Sequence, residues 1–213
     1  PSIVYNTNLG KIVISYRDYT NNNRGTVVVG EVSGTSITFG SPYVFRTTEP
    51  RFTQLSYDPN SQKIVAFYRA DDASNIGKAR VLTPHSTSNT IDSVGTEVNF
   101  TSTSIGNDAM EVAYDANAGK HVVYYADGAV NMKVATVSGT DVSFGSELEV
   151  LNINPNGGTL SITYDASVQK VVATYGNQND NKGYVVVGTI SGTNISVGSA
   201  TAVVDEYFYE GYI

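Results

Sequence analysis

YDPNSQKIVAFY, residues 57–68, packs a strand end, a tight turn and a second strand into one short stretch. Asp58-Pro59-Asn60-Ser61 supplies the turn, because Asx side chains bond the local backbone and Pro presets its own dihedral. Lys63 to Arg69 is dense in Ile, Val, Ala, Phe and Tyr, which predicts a strand buried on both faces. Upstream, Phe52 to Asp58 alternates apolar and polar residues, the period of a half-buried strand. The same frame recurs at Tyr5-Asn6 to Lys11 and Tyr16, at Tyr114-Asp115 to Lys120 and Tyr125, and at Tyr164-Asp165 to Lys170 and Tyr175. Successive first tyrosines lie 52, 57 and 50 residues apart, and a fixed period of that size signals a solenoid, propeller or array.

Working outward from the frame, each copy continues into an Asn/Asp-rich loop: RDYTNNNRG from Arg17, ADDASNIG from Ala70, ADGAVN from Ala126 and GNQNDNKG from Gly176. A third strand is predicted over Gly25 to Val32, Gly77 to Leu82, Asn131 to Val137 and Gly183 to Ile190. In copies one, three and four a Ser-Gly-Thr turn follows, then a fourth strand ending at Gly40, Gly145 or Gly198. The second copy has Pro84 to Asn89 in place of that turn. Four antiparallel strands in about 50 residues, repeated, is the pattern of a propeller blade. The expected fold is therefore all-β: a β-propeller of four four-stranded antiparallel blades. It forms one repeat domain over residues 1–213, with repeats near 1–51, 52–108, 109–158 and 159–213. The tail from Asp205 and the head Pro1 to Tyr5 read as two parts of one strand, so the ring closes on the termini or the chain is an excerpt of a longer array.

Composition sets the bounds on function. Apolar residues make up 40% of the chain against 15% charged, enough to build a core. The net charge of −7 argues against nucleic acid, whose phosphates call for clustered Lys and Arg. No apolar run reaches the ~20 residues that span a bilayer, so no membrane insertion is expected. Without Cys there is neither a disulfide framework nor a thiolate metal site. Only two histidines are present, His85 in the odd long turn and His121 inside a predicted strand, which disfavours a histidine-centred triad or zinc site.

Residues present at one position in every repeat do one structural job per repeat. The frame tyrosines are thus expected to pack neighbouring repeats together. Asp58, Asp115 and Asp165 are expected to cap turns, with Lys63, Lys120 and Lys170 forming exposed cross-strand pairs to them. Recognition belongs where the repeats differ, at the loops after the second strand and the connections after the fourth, which emerge on one face. The candidate ligand-binding residues there are Arg51, Asp18, Asp71, Asp108, Tyr207, Tyr209 and Glu210. No cofactor is expected; Ca²⁺ is the one metal such oxygen-rich loops suit, although no EF-hand or nonapeptide loop is present. A competing reading makes Asp18, Asp71, Asp108 and Glu210 the carboxylates of a glycoside hydrolase.

SYRDYTNNNRG from Ser15, TVVVGEVSGTSITFGSPYVF from Thr26, YDPNSQKIVAFY from Tyr57 and VVVGTISGTNISVGSA from Val185 together resemble a tandem repeat of virion- and tail-associated proteins of marine bacteriophages. That resemblance covers nearly the whole chain and implies a virion or extracellular surface location, with no catalytic residues to carry over. The long Pro84 to Asn89 turn and the short loop at Ala126 depart from the pattern. The expectation is a non-enzymatic binding or structural module that meets a surface glycan or a protein partner. It would act as a homo-oligomer or within a larger assembly, and a pure assembly element is the third reading.

Overall fold

The computed structural model describes residues 1–106, 110–153, 155 and 160–204. These form four antiparallel sheets of five strands each. The first contains β1 (Ser2–Asn6), β2 (Lys11–Asp18), β3 (Arg24–Ser33), β4 (Ser36–Phe39) and β5 (Tyr43–Arg46). The second contains β6 (Pro50–Asp58), β7 (Lys63–Ala70), β8 (Ile76–Pro84), β9 (Ile91–Val94) and β10 (Val98–Ser104). In the third are β11 (Met110–Asp115), β12 (Lys120–Ala126), β13 (Val130–Ser138), β14 (Asp141–Phe144) and β15 (Leu148–Leu151). The fourth holds β16 (Ser161–Asp165), β17 (Lys170–Asn177), β18 (Lys182–Ser191), β19 (Asn194–Val197) and β20 (Thr201–Val204). Apart from a 3-10 turn at Tyr19–Asn21, no helix occurs among the described residues, so none is long and apolar enough to cross a membrane.

Each predicted four-strand unit is present, with one difference in its outer strand. That strand is cut in two, both halves pairing with the same neighbour: β3 meets β4 through Ser33–Gly30 and β5 through Val27–Gly25. The break falls at a glycine whose N–H keeps the ladder going. Gly40, Gly95, Gly145 and Gly198 donate to the carbonyls of Val29, Val81, Val134 and Val187 at 2.8–3.0 Å. The sequence reading ended the strand at this glycine and missed its resumption.

The hairpins follow the turn chemistry. Gly34, Gly139 and Gly192 hold positive φ at the first central position of two-residue turns, where a side chain would be strained. Asp58 accepts from Asn60 N and Ser61 N, Asp115 from Asn117 N and Ala118 N, and Asp165 from Ser167 N. The aspartates therefore cap their turns as expected. The register sets Asp58, Asp115 and Asp165 opposite Lys63, Lys120 and Lys170 across the hairpins as expected, but Asp58 and Asp115 are buried rather than exposed, and Lys120 Nζ donates to Thr136 Oγ1 at 2.9 Å. His85 stays in its long loop and organises it, its Nδ1 accepting from Thr87 N and Ser88 N. His121 is fully buried, edge-on to Tyr114.

By packing, the chain divides into two compact units: Pro1–Ser104 with Val137–Ser143, and Ile105–Thr136 with Phe144 onward. In the first unit, Val13, Val27, Val29 and Phe45 of one sheet meet Leu55, Ile64, Ala66, Tyr68 and Leu82 of the next. In the second, Val122, Tyr124, Met132 and Val134 meet Val171, Ala173, Tyr175 and Val186. Both clusters join consecutive sheets face to face. Tyr68 packs edge-on to Phe45 with centroids 5.6 Å apart, so this second frame tyrosine binds one repeat to the one before it.

Candidate functional site

The 3-10 turn after β2 begins at Asp18, whose carboxylate accepts from Thr20 N at 3.0 Å and Thr20 Oγ1 at 2.7 Å. That cap lifts Tyr19 into solvent, where it is 71% exposed. Asn22 and Asn23 then take positive φ, a conformation that Asn tolerates better than most residues, and bring the chain back into β3. Asp18, a sequence candidate, is thus a positioning residue for the loop.

Arg17, at the end of β2, lays its guanidinium over Tyr19 at 4.2 Å and pairs with Glu49 in the connection to β6. The same Glu49 oxygen takes Arg51 Nε at 3.2 Å, and Arg51 Nε also lies 3.0 Å from Asp71 Oδ2 in the loop after β7. Asp71 in turn sits 3.7 Å from Arg69. The predicted coincidence of second-strand loops and inter-sheet connections is realised here, and it brings together Arg51 and Asp71.

The backbone bends to make this surface. β6 was expected to alternate evenly from Phe52, but its register slips between Arg51 and Gln54, and Phe52 takes φ +51, which is unusual for a bulky side chain. The bulge turns the Phe52 ring under Arg69, whose guanidinium lies 4.8 Å from its centroid. Strained residues of this kind concentrate at ligand contacts. The result is a continuous strip of Tyr19, Arg17, Glu49, Arg51, Asp71, Arg69 and Phe52, all within the first unit.

Behind the strip lies a second charged group. Arg46 reaches Asp72 at 3.3 Å and Glu97 at 3.4 Å, and Lys78 reaches Glu97 at 2.8 Å. Glu97 also accepts from Tyr68 at 2.6 Å. The third sheet repeats the device: Glu147 accepts from Tyr125 and pairs with Lys133 at 3.2 Å. These acids hold buried tyrosines and carry structure rather than a surface.

Hydrogen bonds from Ser74, with Lys78 and Arg46 nearby, hold Asp72 below its ordinary value. Burial alone raises the Glu111 carboxyl in β11, away from the loops. Among the described residues no three His, Cys, Asp or Glu gather as metal ligands. Asp108, Tyr207, Tyr209 and Glu210 lie outside the described residues.

Sequence reasoning missed Arg17, Tyr19, Phe52 and Arg69. A signal was present: every arginine of the chain lies at or before residue 80, within the first two repeats, where it cannot be serving the fourfold frame. No protein-family model matches this chain. No curated protein matches it in sequence either.

Proposed function

We propose that the chain is a non-enzymatic recognition module, a propeller-like succession of blades that binds a surface glycan at the Tyr19–Arg17–Glu49–Arg51–Asp71 strip. The observation that carries this reading is the pairing of an exposed aromatic ring with alternating guanidinium and carboxylate groups on the loop face. A sugar offers an apolar face and a rim of hydroxyls. Tyr19 supplies a ring for the face, Arg51 donates to hydroxyl oxygens, and Glu49 and Asp71 accept from hydroxyl protons. Arg51, with 42% of its side chain exposed, is anchored by two carboxylates, so little rotamer freedom remains to be lost on binding. Display on a virion or cell surface agrees with this role and rests on the resemblance of the repeat. Several copies presented together would add weak contacts through effective concentration.

A glycan array probed with the intact chain tests the proposal. Binding to a defined set of glycans is expected, weakened at least about tenfold by Tyr19→Ala or Arg51→Ala, a loss of roughly 1.4 kcal/mol or more. An array that stays silent, or binding indifferent to both substitutions, overturns it.

A further inference from the structure

Three of the four outer-strand glycines share a second property. A Cβ added at Gly40 would lie 1.7 Å from the carbonyl oxygen of Asn89, at Gly95 1.8 Å from that of Thr140, and at Gly145 1.7 Å from that of Thr193. Each of these oxygens belongs to the outer hairpin turn of the following sheet. Glycine is required at 40, 95 and 145 because the next repeat's turn presses against the backbone there. Gly198 occupies the same place in the fourth sheet, yet an added Cβ would meet only Val187 O at 3.9 Å among the described residues. Its φ is not in the left-handed region either. Nothing described in its own sheet calls for a glycine.

The valines that accept from these glycines report the same difference. Val29, Val81 and Val134 are 0–1% exposed, whereas Val187 is 46% exposed. The opposite half of the contact is uncovered on the first sheet. The residue two places after the approaching carbonyl is Ile91, Val142 or Ile195, each 3–7% exposed; its counterpart after Thr35 is Ile37, which is 40% exposed. Ile3 and Tyr5 stand where Leu55 and Tyr57 pack in the second sheet, and they too are exposed. Among the described residues, the first sheet's turn and the fourth sheet's glycine are therefore the two halves of this contact left exposed.

We propose that a second copy of this chain fills the notch: the Gly34-Thr35 turn and the Ile3, Tyr5 and Ile37 face of one copy dock on Gly198 and Val187 of another. The contact repeats one the chain already makes three times, so its chemistry is that of the interior: a carbonyl against a glycine and β-branched side chains over a valine row. It is heterologous, joining unlike faces, and two copies joined reciprocally satisfy both faces of each. The inference is independent of the glycan-binding reading.

Sedimentation velocity across a concentration series is the direct test. A species of twice the chain mass is expected. Gly198→Val, and separately Ile37→Ser on the opposite face, should each raise its dissociation constant at least about tenfold. Unchanged circular dichroism in both variants keeps the result from being a folding defect. The native chain has no Cys, so Thr35→Cys and Ser199→Cys chains mixed and oxidised report the partners. A mixed disulfide in excess of either homodimer supports docking between copies. One-chain mass at every concentration overturns the proposal, as does a doubly substituted chain that links only to itself at high dilution.

Discussion

The hydroxyl of Tyr68 donates to Glu97 from a ring that is wholly buried. Burial first, then the neighbouring carboxylate, push that phenol far above its ordinary value, so it remains a donor throughout the usable pH range. Glu97 is pulled in both directions. Burial raises it, but hydrogen bonds from Lys78 and Tyr68 and the charge of Arg46 bring it below its ordinary 4.5. A carboxyl held low in the folded state contributes stability above its unfolded value and loses it as pH falls through the folded one. Glu97→Gln is accordingly expected to flatten the acid side of a melting-temperature profile below about pH 4.5. Tyr68→Phe keeps the packing against Phe45 and removes only the bond; a loss of about 1.5 kcal/mol in urea denaturation is expected. A phenylalanine variant as stable as the parent would mean that Lys78 and Arg46 satisfy the carboxylate without the phenol.

For the sheets, the decisive element is the broken outer strand. At Gly145 the backbone of one repeat is so close to the Thr193 carbonyl that a methyl group cannot enter without moving main chain. Gly145→Ala should therefore cost about 1–3 kcal/mol, the ordinary penalty of overpacking. Gly198→Ala, where the nearest described atom would be Val187 O at an ordinary contact distance of 3.9 Å, should change the stability of the isolated chain by less than about 0.5 kcal/mol. Thermal denaturation of the two variants side by side measures the contrast, and equal losses would show that the glycine serves the local strand rather than the next repeat. The turn residue before each frame lysine teaches a related lesson. Gly10, Gln62, Gly119 and Gln169 all hold positive φ near 60°, so a shared backbone conformation survives a change from glycine to glutamine.

Across the chain as a whole, the strands were legible because each repeat spells the same alternation and turns, and four noisy copies correct one another's errors. The split outer strand was not, because Gly40 reads as a terminator when considered alone; only its hydrogen bond to Val29 shows the ladder continuing. Of the site, Arg51 and Asp71 were legible from topology, whereas Phe52 was hidden by a bulge that no alternation pattern announces. The same repetition makes the stability of the sheets uneven. In repeat proteins each unit is stabilised by its neighbours, and one with a bare face opens more readily. β7 and β12 contain runs of fully buried side chains, from Ile64 to Tyr68 and from Val122 to Tyr125, while exposed apolar residues gather on the first and fourth sheets at Ile3, Tyr5, Val32, Phe39, Val187 and Val203. Amide hydrogen exchange should accordingly be slowest in β7 and β12 and faster by at least about tenfold in β1, β4 and β20. If second copies cover the exposed faces, protection in β1 and β4 should rise with protein concentration while β7 and β12 stay unchanged. Uniform exchange over all four sheets would mean that they open as one cooperative body and that the bare faces weaken nothing.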